Sequence, residues 1–186
     1  MFEYLSQSSA ITIIVIATLS FYFVVTLYIF IYRSKVINNR LKIEQESLAG
    51  LYSGDSEPNV LSIFAAYKKR ESGGDLEKVL KAAINDTIRV STGSLNYLAI
   101  MASTSPFIGL FGTVVGILEA FSRLSGLKSA SLNVVAPAIS EALVATAFGI
   151  FVAIFAYTFN LILKRKIYEL SSVLESSMDI LLSRKD

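Results

Sequence analysis

The chain has 186 residues, of which 53% are hydrophobic and only 17% are charged, and its formal net charge is +2. That charged share lies below the roughly 25% of ordinary soluble domains, which favours a membrane protein, and the small net charge gives no sign of nucleic-acid binding. The sequence contains neither cysteine nor histidine. This excludes disulfides, thiolate or imidazole metal sites and histidine catalysis, so no cofactor, no metal site and no enzyme activity are predicted.

The first predicted element is an apolar helix over residues 10–32, a segment without any charged residue. At ~1.5 Å of rise per residue it covers a hydrocarbon core of ~30 Å. A signal peptide is the alternative interpretation, but the segment has no basic start and no small-residue cleavage site, and Arg33 and Lys35 follow it directly. We therefore expect a retained transmembrane helix, which continues over residues 41–51.

Two further apolar stretches, residues 95–121 and 137–163, are each long enough to cross a membrane with some tilt. Apolar residues at helical spacing begin at Leu76, and no proline intervenes before Pro106, so this helix is expected to run unbroken into the second span. Pro106 is predicted to kink the second span, and Pro137 to kink the third span or to stand at its start. The fold class is all-α, with long helices extending into the cytoplasm.

The distribution of Lys and Arg predicts the orientation. Residues 1–9 contain none, residues 33–94 contain ten, the loop 122–136 contains two and the tail after Leu163 contains five. The positive-inside rule then places the N-terminus outside and the C-terminus in the cytoplasm, and in a bacterial inner membrane the outside is the periplasm. The predicted segments are a periplasmic N-terminus (1–9), a first span (10–32), a cytoplasmic helical region (33–94), a second span (95–121), a periplasmic loop (122–136), a third span (137–163) and a cytoplasmic C-terminal helix (164–186).

Glu141 is the most informative residue, because it is the one charged side chain in an otherwise apolar span. A carboxylate at the centre of a membrane costs ~2.5–3.5 kcal/mol or more, and such residues usually face a bundle interior or a water-filled cavity. Two other interpretations stay open. Glu141 is close enough to Pro137 to remain wet at the outer interface, or it makes a structural contact with a partner or a neighbouring subunit.

Small residues recur on one face of each of the last two spans. Such faces let membrane helices approach closely, where packing replaces the hydrophobic effect. They predict close packing within one bundle, oligomer packing or a pore lining, and spacing does not separate these. The residues predicted to pack are Gly109, Gly112, Gly116, Ala142, Ala145 and Gly149.

Thr113 and Thr146 lie at mid-span depth on helices that a short loop makes antiparallel neighbours. A lone intramembrane threonine usually bonds its own helix carbonyl four residues back. Two at similar depth allow a ring of hydroxyl groups in an oligomer, but helix periodicity alone does not decide between these interpretations.

Two strings of residues resemble one family. Ser105-Pro-Phe-Ile-Gly-Leu-Phe-Gly-Thr-Val-Val-Gly-Ile-Leu118 and Val135-Ala-Pro-Ala-Ile-Ser-Glu-Ala-Leu-Val-Ala-Thr-Ala-Phe-Gly149 are similar to the TolQ/ExbB branch of the MotA/TolQ/ExbB proton-channel family. The chain departs from the usual pattern at Val115, Ala138 and Ser140, none of which is the Glu or a Thr. The short N-terminus and the first string favour TolQ over ExbB.

The resemblance implies a homopentamer whose central pore holds a dimer of a single-span TolR/ExbD-type protein, with a TolA/TonB-type protein as a further partner. It implies that Thr113 and Thr146 line the pore, that Glu141 lies near its outer end and that a partner aspartate carries the proton. The function expected is that of a proton-driven motor subunit working on the periplasm and outer membrane. A passive scaffold for single-span proteins is the alternative, and sodium is not excluded as the ion.

Overall fold

The computed structural model describes residues 10–54, 57–68, 76–125 and 132–184, and their regular structure is entirely helical. Within these residues the helices are α1 (Ala10–Tyr52), α2 (Ile63–Lys68), α3 (Leu76–Thr92), α4 (Leu95–Ser125) and α5 (Leu132–Ser183). The predicted N-terminal segment 1–9 lies outside the described residues, as do residues 126–131 of the predicted loop 122–136.

Three stretches of the described chain are long and apolar enough to cross a membrane, namely Ile11–Tyr52, Leu76–Ser122 and Val135–Ser183. This confirms the predicted all-α fold, with three stretches suited to span a membrane. Each stretch is also far longer than the ~20 residues that a bilayer requires. The remainder of each helix therefore extends beyond the hydrocarbon layer.

The expectation of one unbroken helix from Leu76 into the second span is wrong at a single place. Gly93 and Ser94 separate α3 from α4. The amide of Gly93 still donates to the Arg89 carbonyl at 3.2 Å, as it would in a helix. Glycine costs ~1 kcal/mol relative to alanine inside a helix, and serine competes for backbone hydrogen bonds, so the helix is interrupted where the two residues follow each other.

The chain divides into two compact units. Unit 1 comprises the described part of Met1–Ile29 together with Tyr97–Asn160. Its core joins Val15 and Leu19 of α1 to Ala145 and Val152 of α5. The ring of Phe23 extends this contact between α1 and α5, with its centroid 5.5 Å from that of Phe151 and 5.6 Å from that of Phe155.

Unit 2 comprises Phe30–Asn96 and the described part of Leu161–Asp186. Its core is formed by the apolar faces of three helices that meet around the fully buried ring of Phe64. The buried residues are Ile63, Phe64, Leu80, Ala83, Ile84, Leu170, Leu174 and Met178.

A buried carboxylate fixes the chain that enters α2. The side chain of Glu44 on α1 is completely buried and accepts hydrogen bonds from the Ser62 hydroxyl at 2.7 Å and from the Ile63 amide at 3.0 Å. The hydroxyl of Ser47, one turn further along α1, accepts from the Asn59 amide at 3.0 Å. Both carboxylate oxygens of Glu44 are thus satisfied, which is the condition for burying the group without a large cost.

Candidate functional site

The packing of α4 against α5 positions the predicted site residues in unit 1. A methyl group added at Gly149 would lie 2.6 Å from the Ser105 carbonyl oxygen, and one added at Gly109 would lie 2.8 Å from the Ala145 carbonyl oxygen. These are backbone atoms, so the helices are as close as glycine permits. The contacts on α5 move back from Gly149 to Ala145 as those on α4 advance from Ser105 to Gly109, so the helices are antiparallel.

The same face continues with contacts from α1. A methyl group at Gly112 would lie 3.0 Å from Val15 Cγ1 and 3.2 Å from Ala145 Cβ, and one at Gly116 would lie 2.8 Å from Ala142 Cβ. The six small residues predicted to pack are therefore brought together at one helix crossing. The prediction left open whether they pack within the bundle or between subunits; within this chain they do pack against each other.

The structure also brings the two threonines together. The hydroxyls of Thr113 and Thr146 are hydrogen-bonded to each other. Thr113 Oγ1 lies 3.2 Å from the Ala142 carbonyl oxygen and 3.3 Å from its own helix carbonyl at Gly109. Thr113 is buried, with 9% of its surface exposed, whereas Thr146 is half-buried. The site is thus a small group of hydroxyl and carbonyl oxygens inside an apolar span.

Glu141 lies beside this group rather than inside it. Its neighbour Ala142 faces Gly116, which sets the level of Glu141 along α4. Five residues of helix separate Glu141 from Thr146, corresponding to ~7.5 Å along the axis and a rotation of ~140°. Glu141 and Thr146 therefore do not share a helix face.

The side chain of Glu141 carries an unusual oxygen. Oε1 is buried, yet it has no hydrogen-bond partner among the residues that the structure describes. A buried polar atom without a partner costs ~1–3 kcal/mol, and more when the group is charged. The part of the chain that the structure describes thus supplies no donor for this oxygen.

The two prolines lie inside helices. Helix α4 continues through Pro106, and Pro137 lies in the second turn of α5, which begins at Leu132. Next to Pro106, the fully buried Ser105 hydroxyl donates to the Met101 carbonyl at 2.6 Å. This bond occupies a carbonyl in the turn where the proline ring disturbs the helix.

Two buried polar residues near the site were not predicted. Thr12 of α1 is buried, and its hydroxyl oxygen is 4.0 Å from the position of a methyl group at Gly116. Ser105 supplies the carbonyl that Gly149 touches. The available signal for both residues was a polar side chain within an apolar span. That signal does not single them out, because serine and threonine both occur in membrane helices. The Ala142 carbonyl has no signal in the sequence, because every residue carries one.

Hydroxyl and carbonyl oxygens such as those gathered here can take part in hydrogen bonds or contact a small cation. Among the described residues no group of three or more carboxylate, thiol or imidazole side chains could hold a metal ion. Each of two hydroxyls in contact can both donate and accept, so together they can form a short chain of hydrogen bonds.

Comparison with known families gives one match that covers most of the chain. Residues 51–176 match the model of a family described as the MotA/TolQ/ExbB proton channel family. This range contains both resembling strings, together with much of unit 2. The match therefore confirms the resemblance noted in the sequence.

Individual relatives carry the names of both members of the branch. The chain is 43% identical over 182 residues to a Helicobacter pylori (strain J99) protein named ExbB-like 1, with 98% of this chain and 96% of the relative covered. It is 35% identical over 178 residues to the Tol-Pal system protein TolQ of Haemophilus influenzae, covering 81% and 78%. It is 35% identical over 149 residues to the biopolymer transport protein ExbB of Salmonella typhimurium, covering 69% and 61%.

Proposed function

The chain belongs to the MotA/TolQ/ExbB proton channel family, and from that premise we propose that it is the inner-membrane subunit of an ion-driven motor of the TolQ–TolR or ExbB–ExbD type. Its three membrane-spanning helices make it a multi-pass membrane protein. The motor couples the flow of protons to work on the periplasmic side. The positive-inside rule supports an orientation with the N-terminus in the periplasm.

The observation that carries this proposal is the Oε1 of Glu141, which has no hydrogen-bond partner among the described residues and lies beside a bonded pair of threonine hydroxyls. A structural carboxylate in a finished bundle is normally hydrogen-bonded, as Glu44 is. An oxygen left without a partner in a single chain instead fits a site that another chain, water or an ion completes. Glu141 therefore serves the ion pathway near its outer end, with Thr146 deeper in the membrane.

The exposed apolar surface supports an oligomer around a partner. Large apolar side chains are exposed on several faces of the spans, including Phe111 and Leu118 on α4 and Leu143 and Ile154 on α5. Lipid covers part of this surface, and the rest packs in a homopentamer around a TolR/ExbD-type dimer in its pore. The partner supplies the aspartate that the spans of this chain lack. A TolA/TonB-type protein receives the work.

The energy required is available from the membrane potential. One proton that crosses ~100 mV releases ~2.3 kcal/mol. A few protons are enough to move one packed set of helices past another, because the contacts between such sets are individually weak. Sodium would supply the same energy per charge, so the comparison of proton and sodium gradients is part of the test.

The test compares Glu141→Ala and Thr146→Val with the native chain in cells that lack their own copy. We expect both variants to insert into the membrane and to lose all activity, measured as energised uptake or outer-membrane integrity. Dissipation of the proton gradient by a protonophore should have the same effect on the native chain. Full activity of both variants would contradict the proposed pathway, and activity that survives the protonophore would indicate a passive scaffold or a sodium-driven motor.

A further inference from the structure

A groove of about 220 Å³ lies in unit 2 between α1 and α3. Four of its residues follow each other on one face of α1 at spacings of three, one and three, and four come from two turns of α3. They are Arg33, Val36, Ile37 and Arg40 on α1 and Asp86, Thr87, Val90 and Ser91 on α3. The groove therefore combines two guanidinium groups, an apolar floor and a wall of oxygen atoms.

The charges of this groove are not balanced by the chain around it. Among the described residues no carboxylate lies within ion-pair distance of Arg33 or Arg40, and Asp86 is bonded to Arg89 at 3.0 Å. Arg40 donates one N–H to the Leu61 carbonyl at 3.5 Å, which leaves its other four N–H groups available. The groove is thus positively charged and offers donors that an anion with several oxygens can use.

The position of the groove along α1 indicates where the anion comes from. Arg33 directly follows the uncharged segment 10–32, so the groove begins where the hydrocarbon layer ends and the lipid headgroups lie. In the preceding turn Ile31 and Tyr32 are 53% and 55% exposed. A lipid whose headgroup enters the groove therefore has an exposed apolar surface on the same helix for its acyl chains.

The wall on α3 selects a particular kind of headgroup. The Thr87 hydroxyl already donates to the Ala83 carbonyl at 2.8 Å, and the Ser91 hydroxyl donates to the Thr87 carbonyl at 2.8 Å. Both hydroxyls are therefore free to act as acceptors, and the Asp86 carboxylate is an acceptor as well. These acceptors match a headgroup that carries hydroxyl groups, while the arginines match its phosphate, which guanidinium binds with two parallel hydrogen bonds.

We propose that this groove binds an anionic phospholipid with a hydroxylated headgroup, of which phosphatidylglycerol is the simplest. Arg33 and Arg40 hold the phosphate, and Thr87, Ser91 and Asp86 accept hydrogen bonds from the headgroup hydroxyls. The bound lipid joins α1 to α3 at the membrane border.

The experiment measures lipid bound to the full chain, purified in detergent, by native mass spectrometry. Phosphatidylglycerol and phosphatidylcholine with identical acyl chains are added at equal concentration. We expect phosphatidylglycerol to be preferred and the double variant Arg33→Gln, Arg40→Gln to bind it about tenfold more weakly. The matched control is Lys35→Gln, which removes one charge from the same part of α1 outside the groove and should change binding by less than about twofold.

A second variant protects the test against misfolding. Val90 is exposed in the groove wall, so Val90→Glu adds a negative charge there without disturbing the core. It should weaken phosphatidylglycerol binding as much as the arginine variant does, with an unchanged circular dichroism spectrum.

Three outcomes would overturn the proposal. Equal binding of the two lipids would show that neither the net negative charge nor the hydroxyl groups of the headgroup are recognised. Displacement of the lipid by millimolar inorganic phosphate would identify a site for soluble phosphate instead. Loss of the oligomer in the arginine variant, with unchanged lipid bound per chain, would assign the groove to contact with another copy.

Discussion

The hydroxyls of Thr113 on α4 and Thr146 on α5, 33 positions apart in the chain, are hydrogen-bonded to each other. The less exposed member, Thr113, also faces the Ala142 carbonyl at 3.2 Å. Thr146 retains the greater exposure. The pair thus has one buried member, Thr113, and one partly exposed member, Thr146.

Replacement of Thr113 tests whether this pair acts as a unit. Thr113→Val keeps the shape but removes the hydroxyl, so we expect a loss of ~1 kcal/mol of stability and at least a tenfold loss of activity. Thr113→Ser keeps the hydroxyl and should retain most activity. The measurements are thermal unfolding in detergent and energised uptake in cells. Full activity of the valine variant would mean that Thr146 works without its partner.

Replacement of Glu141 should separate activity from stability. Because Oε1 has no hydrogen-bond partner among the described residues, Glu141→Gln breaks no hydrogen bond of that oxygen there, and the melting temperature should stay the same or rise. Activity should nevertheless fall to background. Glu119→Gln, a carboxylate near the end of the second span, is the matched control and should keep activity. A lower melting temperature for Glu141→Gln alone would instead point to a structural role.

The helix crossing predicts different effects of alanine at two glycines. In Gly149→Ala the new methyl group would lie 2.6 Å from the Ser105 carbonyl oxygen, so the backbones must separate, at a cost of ~1–3 kcal/mol. In Gly93→Ala the new methyl group would lie 3.8 Å from the Arg89 carbonyl oxygen, and a gain of ~0.5 kcal/mol is expected. Melting temperatures in detergent measure both. Equal changes in melting temperature for the two variants would show that α4 and α5 are not in such close contact at Gly149.

The buried carboxylate of unit 2 gives a fourth prediction. Glu44→Ala leaves the Ser62 hydroxyl and the Ile63 amide without an acceptor, and we expect a loss of ~2–4 kcal/mol and faster hydrogen exchange over residues 57–64. Glu46→Ala is the control. Glu46 is exposed and lies 3.9 Å from Lys42, so its loss should cost less than ~0.5 kcal/mol. Similar exchange in both variants would mean that Glu44 does not hold this segment.

Much of unit 1 could be predicted because membrane helices follow few rules. The uncharged run 10–32 required a span, and glycines such as Gly109 and Gly149 at helical spacing required a close contact. The contact partners were not predictable. Spacing places Gly149 on a face, but the finding that this face meets the Ser105 carbonyl depends on how far α4 and α5 are shifted along each other, and no residue pattern records that shift.

Unit 2 was predicted less well, because a helix rich in charged residues gives little indication of which of its side chains are buried. Glu44 stands in a polar stretch that includes Lys42 and Glu46, where a solvent-facing side chain is the ordinary expectation. Glu44 is buried because the chain beyond Tyr52 folds back over it. That is a tertiary contact, which the local sequence around Glu44 does not show. The interruption at Gly93 was a local signal that could have been used, since glycine followed by serine weakens a helix wherever it occurs.

The contact between Gly149 and Ser105 has a mechanical consequence. If α5 slid along α4 by one helical turn, Ala145 or Ala153 would take the place of Gly149, and the methyl group of either would have no room against the Ser105 carbonyl oxygen, which lies 2.6 Å from a methyl group placed at Gly149. This close contact therefore prevents the two helices from sliding along each other. In the proposed motor, a stroke would therefore move α4 and α5 together rather than slide one along the other.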